Sequence, residues 1–410
     1  MKIAVVGGGA SGLMAAITAA GAAARVILFE GNNKPGKKIL STGNGRCNLS
    51  NTALDPSLYH GSAAKLAGLV IGEYGVKETL AFFDKIGIPC VTAASAKGDD
   101  RWVYPACREA AQVRRALEME CERLGVQIYT ECRIVRVAKD RKIFRLTTED
   151  GTVFTADRVI ISTGGMAAPK TGSDGNGYGL AQDLGHSIVQ PLPALGALTS
   201  DNPLCKRLGG VRAEAKVSLM IDGKVAAQES GEVQFTEYGL SGIPVFQLSG
   251  RAVQALAEGK NVALRLNLWP TRIYNELYLM LADRRVRRPT VKSGAILLGM
   301  VPDKLVGPLL EKSRIDPQAP CNTLTREELV RLASQIQGFM FSIDGAKDFN
   351  SCQVTAGGIP ASELSANLES LLCPGLFFTG EIVDTDGPCG GYNLQWAWSS
   401  GRIAGLAAAR

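Results

Sequence analysis

Three stretches of this chain predict an α/β fold. At the N-terminus an apolar run, Ile3-Ala-Val-Val6, enters Gly7-Gly-Gly-Ala-Ser-Gly12 and a small-residue helical segment. A second apolar run, Arg25-Val-Ile-Leu-Phe29, then ends in Glu30. Far along the chain two more apolar runs end in glycine, Arg158-Val-Ile-Ile-Ser-Thr-Gly-Gly165 and Gly375-Leu-Phe-Phe-Thr-Gly-Glu381. Strand, glycine turn, helix and strand in that order form a parallel βαβ unit, and buried parallel strands read as continuous apolar runs. The expected architecture is a discontinuous Rossmann-like dinucleotide-binding domain, interrupted by an insertion near 191–353.

Gly7, Gly9 and Gly12 form G-x-G-x-x-G. The first glycine allows the tight turn, the second admits a pyrophosphate to the backbone, and the third lets the helix pack close to the sheet. The helix is expected from Leu13 to Ala24, and the preceding Ala10 and Ser11 offer free N–H groups to phosphate oxygens. Glu30 stands eighteen residues past Gly12, where a carboxylate meets the adenosine ribose. A secretory signal has a similar outline, since residues 3–24 carry no charge and Ala22-Ala23-Ala24 resembles a cleavage site. Three consecutive glycines inside the apolar stretch argue against that signal and against a membrane span. The expected location is cytoplasmic.

A Gly/Lys/Asn-rich loop follows over 33–51, then a helix within 75–90. Ala110, Val113, Leu117, Cys121 and Leu124 recur every three to four residues after Pro105 and predict another helix. Strands are expected at Val126–Tyr129, Arg133–Ala138, Ile143–Thr148 and Thr152–Thr155, with Glu149-Asp-Gly151 as a hairpin turn. Leu180–Leu184 reads as a short helix. Pro191 and Pro193 then mark a change of texture. Residues 194–269 look mostly β, and 272–337 mostly helical with breaks at Pro289, Pro302, Pro308 and Pro317. Gln353–Gly358 returns to strand-plus-glycine chemistry, and a helix starts near Asn393. The expected domains are 1–190 with 354–410 for the nucleotide, 191–270 mainly β, and 271–353 helical.

The bulk numbers narrow the class. A chain of 410 residues, 46% hydrophobic and 20% charged, suits a globular protein of two or three domains. Its net charge of +6 is modest. Arg284-Arg285 and Arg287-Arg288 form the densest basic cluster, and without interleaved aromatic residues it reads as a solvated helix end, not a nucleic-acid patch. Ten cysteines without C-x-x-C spacing fit reduced thiols, and two histidines leave little for a multi-histidine metal site or a Ser-His triad.

A nicotinamide enzyme needs only the opening fingerprint. The two later glycine-ended strands add what a two-dinucleotide-domain flavoprotein uses, and a helix starting near Asn393 would face the flavin pyrimidine, where negative charge gathers on reduction. The cofactor expected is therefore FAD. Pro35-Gly-Lys-Lys-Ile-Leu-Ser-Thr-Gly-Asn-Gly-Arg-Cys-Asn-Leu-Ser-Asn51, Gly231-Glu-Val-Gln-Phe-Thr-Glu-Tyr-Gly-Leu-Ser-Gly242, Gln353-Val-Thr-Ala-Gly-Gly358 and Asp384–Gly401 resemble, in this order, the signatures of the BaiN/YhiN-like FAD-dependent oxidoreductases, which include aminoacetone oxidase family FAD-binding enzymes. The resemblance implies an FAD-binding domain carrying an inserted β-barrel-like domain and a helical subdomain, with the substrate lying between insert and flavin. It also implies either reduction of a conjugated carbon–carbon double bond, as in bile-acid intermediates, or amine oxidation. One departure is Glu237, where the family's Phe-Thr-x-Tyr-Gly motif often carries His.

The cofactor-contact candidates are Gly7, Gly9, Ala10, Ser11, Gly12 and Glu30 from the fingerprint, and Lys38, Ser41, Gly43, Gly45, Arg46 and Cys47 from the following loop. Val135, Thr163, Gly164 and Gly165 join them from mid-chain. Gly380, Glu381, Gly391, Tyr392, Asn393 and Leu394 complete the set. Arg101, Tyr104 and Glu237 are the substrate-side candidates, against a reading as surface-polar or core residues. Cys47 lacks the partner at position 52 that a disulfide reductase would carry, since Thr52 stands there, so it and Cys389 read as packing or flavin-contact thiols. No strand-loop-helix-strand-acid unit of a second nicotinamide domain is present, so NAD(P)H would bind transiently at the flavin face. The partner expected is a small organic or sterol-like molecule. Two alternatives stand beside this reading: an FAD-containing RNA-acting or RNA-binding protein, and a flavin-free nicotinamide dehydrogenase.

Overall fold

The computed structural model describes residues 1–92 and 101–410. From the N-terminus the chain forms β1 (Lys2–Val6), α1 (Ala10–Gly21), β2 (Arg25–Phe29) and β3 (Ser50–Asn51). It continues through α2 (Ala64–Glu73), α3 (Val76–Lys85), β4 (Cys90–Thr92), β5 (Trp102–Pro105), α4 (Ala110–Arg123) and β6 (Gln127–Tyr129). A meander of β7 (Ile134–Asp140), β8 (Ile143–Thr148) and β9 (Val153–Ala156) leads into β10 (Arg158–Ile161), α5 (Asn176–Gln182) and β11 (Val189–Ala194).

The next segment holds β12 (Leu198–Thr199), α6 (Leu204–Leu208), β13 (Arg212–Ile221), β14 (Lys224–Thr236), β15 (Gly239–Ser241), α7 (Ile243–Ala257) and β16 (Val262–Asn267). Three helices follow, α8 (Tyr274–Arg287), α9 (Asp303–Ser313) and α10 (Arg326–Gln337), then β17 (Phe339–Ile343) and β18 (Gly345–Ala346). The chain closes with β19 (Val354–Gly358), β20 (Leu376–Phe378) and α11 (Tyr392–Ala408). Two compact units result: Met1–Pro193 with Phe349–Arg410, and Ala194–Asp348.

The first unit is organised by a parallel sheet of order β20-β10-β1-β2-β6. Parallel pairing puts the loops after β1, β2, β10 and β20 at one sheet edge, the end where α/β folds bind ligands. The chain's last helix packs tightly on its first. A Cβ at Gly401 or Gly405 of α11 would run into the carbonyl oxygens of Ser11 and Ala15 in α1. Two indoles lock the other side of α11: Trp396 Nε1 donates to Gly380 O at 2.9 Å and Trp398 Nε1 to Leu49 O at 3.1 Å. Beside Trp396 in the chain, buried Gln395 accepts from Ser50 Oγ (2.6 Å) and donates to Thr79 Oγ1 (2.8 Å) and Ser399 Oγ (2.9 Å). A fully bonded buried amide of this kind fixes the helix along its axis.

The second unit carries an antiparallel sheet of order β17-β16-β13-β14-β15-β12-β18. Its two edge strands, β17 and β18, are separated by Asp344 alone. Neighbours in sequence at opposite ends of the strand order require the sheet to curl back on itself, which gives it a barrel-like form. Phe235, Phe339 and Phe341 are fully buried in it, with ring centroids 5.1–5.7 Å apart.

Several boundaries differ from the sequence reading. α1 starts at Ala10 rather than Leu13, because Gly9 takes the N-cap and Ala10 and Ser11 already belong to the first turn. It ends at Gly21, and Ala23 adopts a left-handed φ of 66°. α2 was not anticipated. α7 interrupts the stretch expected to be mostly β: Pro244 sits in its first turn, and Val245, Leu248, Ala252 and Val253 make a buried stripe that Ser249-Gly250 disguises. Pro308 lies inside α9 rather than ending it, since Leu305, Leu309 and Leu310 hold both sides of the proline in the core.

Candidate cofactor-binding site

A cavity of about 340 Å³ opens at the carboxyl ends of the parallel strands. The glycine turn after β1 forms its floor. A Cβ at Gly12 would overlap the carbonyl oxygen of Gly7, and one at Gly7 would meet Ser162 O, so both glycines serve close packing. Gly9 is different. A Cβ there meets nothing within 4 Å, so its hydrogen faces open space at the N-terminus of α1, beside Ala10 and Ser11. Free N–H groups, a helix dipole and an unfilled approach are what a pyrophosphate needs.

Glu30 is buried beside this turn, and its carboxylate is divided between two neighbours. Oε2 accepts from Gly8 N–H at 3.0 Å, while Oε1 accepts from the backbone and side-chain nitrogens of Asn32, both at 2.7 Å. Asn32 Nδ2 also donates to Thr171 O at 3.1 Å, tying the β2 loop to the segment after β10. Lys37 Nζ reaches Asn32 Oδ1 at 3.2 Å. Opposite, Lys38 Nζ pairs with Glu381 Oε2 at 2.6 Å, and Glu381 Oε1 accepts from Thr355 N–H at 2.9 Å.

The strand after the meander contributes Thr163 and Gly164. Thr163 lines the cavity with a buried Oγ1 that has no partner. Gly164 has a φ of +75°, and a Cβ at Gly165 would strike Thr355, whose hydroxyl accepts from Met166 N–H and Ala167 N–H. Asn176 donates from Nδ2 to Ile134 O at 3.0 Å, leaving a second unpaired buried oxygen, its Oδ1, at the cavity. Gly380 sits behind the wall: its N–H donates to Ser400 Oγ at 3.0 Å.

The N-terminus of α11 supplies the remaining wall. Gly391 takes φ +95°, and a Cβ on it would collide with the Ser50 backbone. Tyr392 is held by two bonds, its OH accepting from Asp55 N–H (3.1 Å) and its carbonyl from Tyr59 OH (2.7 Å). The Asn393 side chain clamps Gly387 through N–H and C=O at 2.9 and 2.7 Å. The first helical hydrogen bond is Gln395 N–H to Gly391 O, so the preceding N–H groups at the cavity edge, on Asn393 and Leu394, are outside the helical ladder.

Other sequence candidates take different places. Ser41 is exposed and donates to Lys38 O; Gly43 and Gly45 shape left-handed turns, with φ +56° and +79°. These turns bury Cys47 completely, and burial pushes its thiol up to about 12. A thiol that keeps its proton at neutral pH is a poor redox nucleophile. Arg46 points outward, its guanidinium 5.3 Å above the ring of Tyr104. Tyr104 is buried, and burial raises its phenol pKa against the opposing charges of Arg46 and Arg108. Arg101 is exposed, its carbonyl accepting from Thr52 N–H at 2.8 Å. Val135 is 44% exposed, and the cavity is met instead by its neighbours Arg133 and Ile134. Glu237 belongs to the second unit, exposed in the turn between β14 and β15.

Sequence reasoning passed over Asn32, Asn176 and Thr385, all at the cavity. Asn176 had a signal, since it opens a helix inside a glycine-rich run, and Thr385 lies within the signature at 384–401; Asn32 had none beyond adjacency to named residues. Below the cavity, Asp386 is buried, and burial together with the Asp384 and Glu381 carboxylates pushes it up to about 7.

An unfilled approach at Gly9 and three orphaned buried oxygens, Thr163 Oγ1, Asn176 Oδ1 and Thr385 Oγ1, are features that a bound dinucleotide would complete, so the residues present fit FAD. Glu30 and the α1 N-terminus would hold its adenosine pyrophosphate half, and the α11 N-terminus its flavin half.

Among the described residues no helix is long and apolar enough to cross a membrane. The HI0933-like protein Rossmann domain model matches residues 1–407. The chain is 40% identical to the 3-dehydro-bile acid delta(4,6)-reductase of Clostridium scindens, over all of this chain and 99% of that one. It is 30% identical to the ribosomal RNA dihydrouridine synthase of Escherichia coli, over 97% of this chain and 95% of that one. A protein of the same description from Haemophilus influenzae is 25% identical, over 99% and 98%. This chain belongs to the HI0933-like Rossmann family and is an FAD-dependent oxidoreductase.

Proposed function

We propose that this enzyme reduces a carbon–carbon double bond conjugated with a carbonyl in a small sterol-like substrate, with NAD(P)H as transient electron donor in the cytoplasm. The observation that carries this reading is the 40% identity, end to end, with a protein named for reducing a 4,6-unsaturated 3-oxo sterol acid. The name of the 30% relative describes related chemistry, because dihydrouridine is uridine with a carbonyl-conjugated ring double bond saturated. Residues 1–190 and 354–410 would hold the cofactor, with 191–270 and 271–353 as mainly β and helical parts.

Bound FAD supplies hydride transfer through its N5 position. The protein's share is electrostatic and positional. With the flavin half held at the start of α11, the free N–H groups there would stabilise negative charge on its pyrimidine. The tie between Lys38 and Glu381 fixes the loop after β2 against the loop after β20.

The test is anaerobic reduction of the flavin by NADH or NADPH, followed by reoxidation with a 3-oxo-4,6-diene sterol acid and mass analysis for two added hydrogens. A flavin that neither nicotinamide bleaches, or a reduced flavin that the dienone leaves reduced, overturns the reading. The 30% relative favours a second reading, reduction of uridine in ribosomal RNA. A gain of two mass units in a uridine of transcribed rRNA treated with the reduced enzyme, without turnover of the dienone, would select it.

A further inference from the structure

The second unit has a cavity of its own, of about 240 Å³, between the end of α8 and the segment before α9. Arg284, Arg287 and Arg288 line one part and Val291, Ile296 and Leu298 another; among the described residues no acidic side chain lines it. Arg284 Nη1 donates to the carbonyls of Ile296 (2.8 Å) and Leu298 (2.9 Å), so its guanidinium is fixed to the wall. Arg287 is tied at Nε to Asp283, at 2.8 Å. Arg288, the C-cap of α8, is exposed and makes no side-chain hydrogen bond or ion pair among the described residues. Its charge acts on the Cys321 thiol, which burial raises, so the free guanidinium stands beside the cavity's thiol wall.

Arginines in a last helical turn complement the helix dipole. That role requires neither a cavity nor aliphatic walls. The surroundings are basic as well: residues 272–337 carry eleven Lys and Arg against seven Asp and Glu. Leu298 is 64% exposed at the cavity and Val286 71% exposed on α8. Guanidinium groups beside exposed aliphatic side chains match a ligand that is both charged and apolar. A nucleic acid would call for aromatic stacking partners, and the lining has none.

We infer that this cavity is a second ligand site, taking an organic anion with an apolar body, its carboxylate paired with Arg288 and its frame against Val291, Ile296 and Leu298. The two cavities share no lining residue, so the inference stands whether or not a sterol enone is the substrate. A fatty acid and a sterol acid share this chemistry.

The experiment is calorimetric titration of the FAD-loaded protein with laurate, cholate and the methyl ester of each, below their micellar concentrations. Wild type should bind at least one acid saturably. Arg288→Glu should lose about tenfold or more in affinity, the scale of one charge-assisted contact, and Arg288→Gln part of that. Flavin absorbance and melting temperature should not change, because Arg288 has no partner to lose. Binding of laurate alone, cholate alone or both identifies the source. Three results overturn the inference: equal affinity in Arg288→Glu and wild type, esters that bind as well as the acids, or an RNA oligonucleotide that binds through Arg288 when neither acid does.

Discussion

Alanine at Gly9 and at Gly12 should have opposite consequences, although both glycines belong to one fingerprint. At Gly12, in the first turn of α1, the added Cβ would overlap the carbonyl oxygen of Gly7 and lie 2.6 Å from Ser162 Oγ. The carbonyl is backbone in a tight turn and cannot swing aside. Overpacking of this sort costs about 1–3 kcal/mol or more, against a gain of about 0.5–1 kcal/mol for alanine over glycine in a helix. The net effect is a loss of stability. At Gly9 the Cβ meets nothing within 4 Å and φ is −75°, so the fold should tolerate it with less than about 1 kcal/mol lost at the N-cap. The same methyl would occupy the approach to the α1 N-terminus, and FAD affinity should fall on the order of ten- to a hundredfold, or about 1.4–2.7 kcal/mol. Thermal melting of the two apo-proteins measures the first effect, and quenching of FAD fluorescence on titration measures the second. Gly9→Ala that binds FAD as tightly as wild type, or Gly12→Ala that melts at the wild-type temperature, would refute the reasoning.

Three further outcomes are expected. Asp386 keeps its proton in the folded chain up to about 7, against an ordinary 3.8, so between those values the folded state binds more protons than the unfolded one. This residue's contribution to stability therefore declines as pH rises through that window, and the melting advantage of Asp386→Asn over wild type should grow with pH; a gap independent of pH would contradict it. Cys47, fully buried and pushed up to about 12, should escape iodoacetamide at neutral pH while exposed Cys107 is alkylated, as peptide mass mapping can check. His186 has no exposed side-chain surface and bonds Glu363 Oε2 and Ser370 Oγ, each at 2.7 Å, so His186→Ala should cost about 2–4 kcal/mol in urea unfolding by opening a cavity and removing one hydrogen bond from each partner.

The line between legible and hidden features follows sequence distance. Gly7, Gly9, Gly12 and Glu30 could be read because one βαβ unit sets their geometry within thirty residues. The helix at 110–123 was equally plain, since Val113, Leu117 and Cys121 repeat at helical period and all three are buried. By contrast, Lys38 looked like a free cation for the cofactor, yet it pairs with Glu381, 343 residues away. Tyr104 and Arg46 were named for separate roles, and their contact arises only because the loop after β2 folds beside β5. α7 was missed because its buried stripe crosses a Ser-Gly pair that reads locally as a turn.

By itself, the sequence determined the local chemistry: an open glycine at a helix start, an acid at the end of the second strand, and glycine-ended strands that belong to one sheet. Those properties depend on backbone sterics and short-range periodicity, which neighbouring residues fix. Tertiary structure alone decided which ionisable groups meet, and so which carry unusual protonation. Asp386 is held near 7 chiefly by the burial that the fold imposes, which adds to the Asp384 and Glu381 carboxylates close by in sequence, and Arg288 is left unpaired beside a cavity with basic and aliphatic walls. Burial and Coulomb interactions depend on distance through space, and that distance is set only when segments remote in sequence pack together, as α1 and α11 do in the first unit.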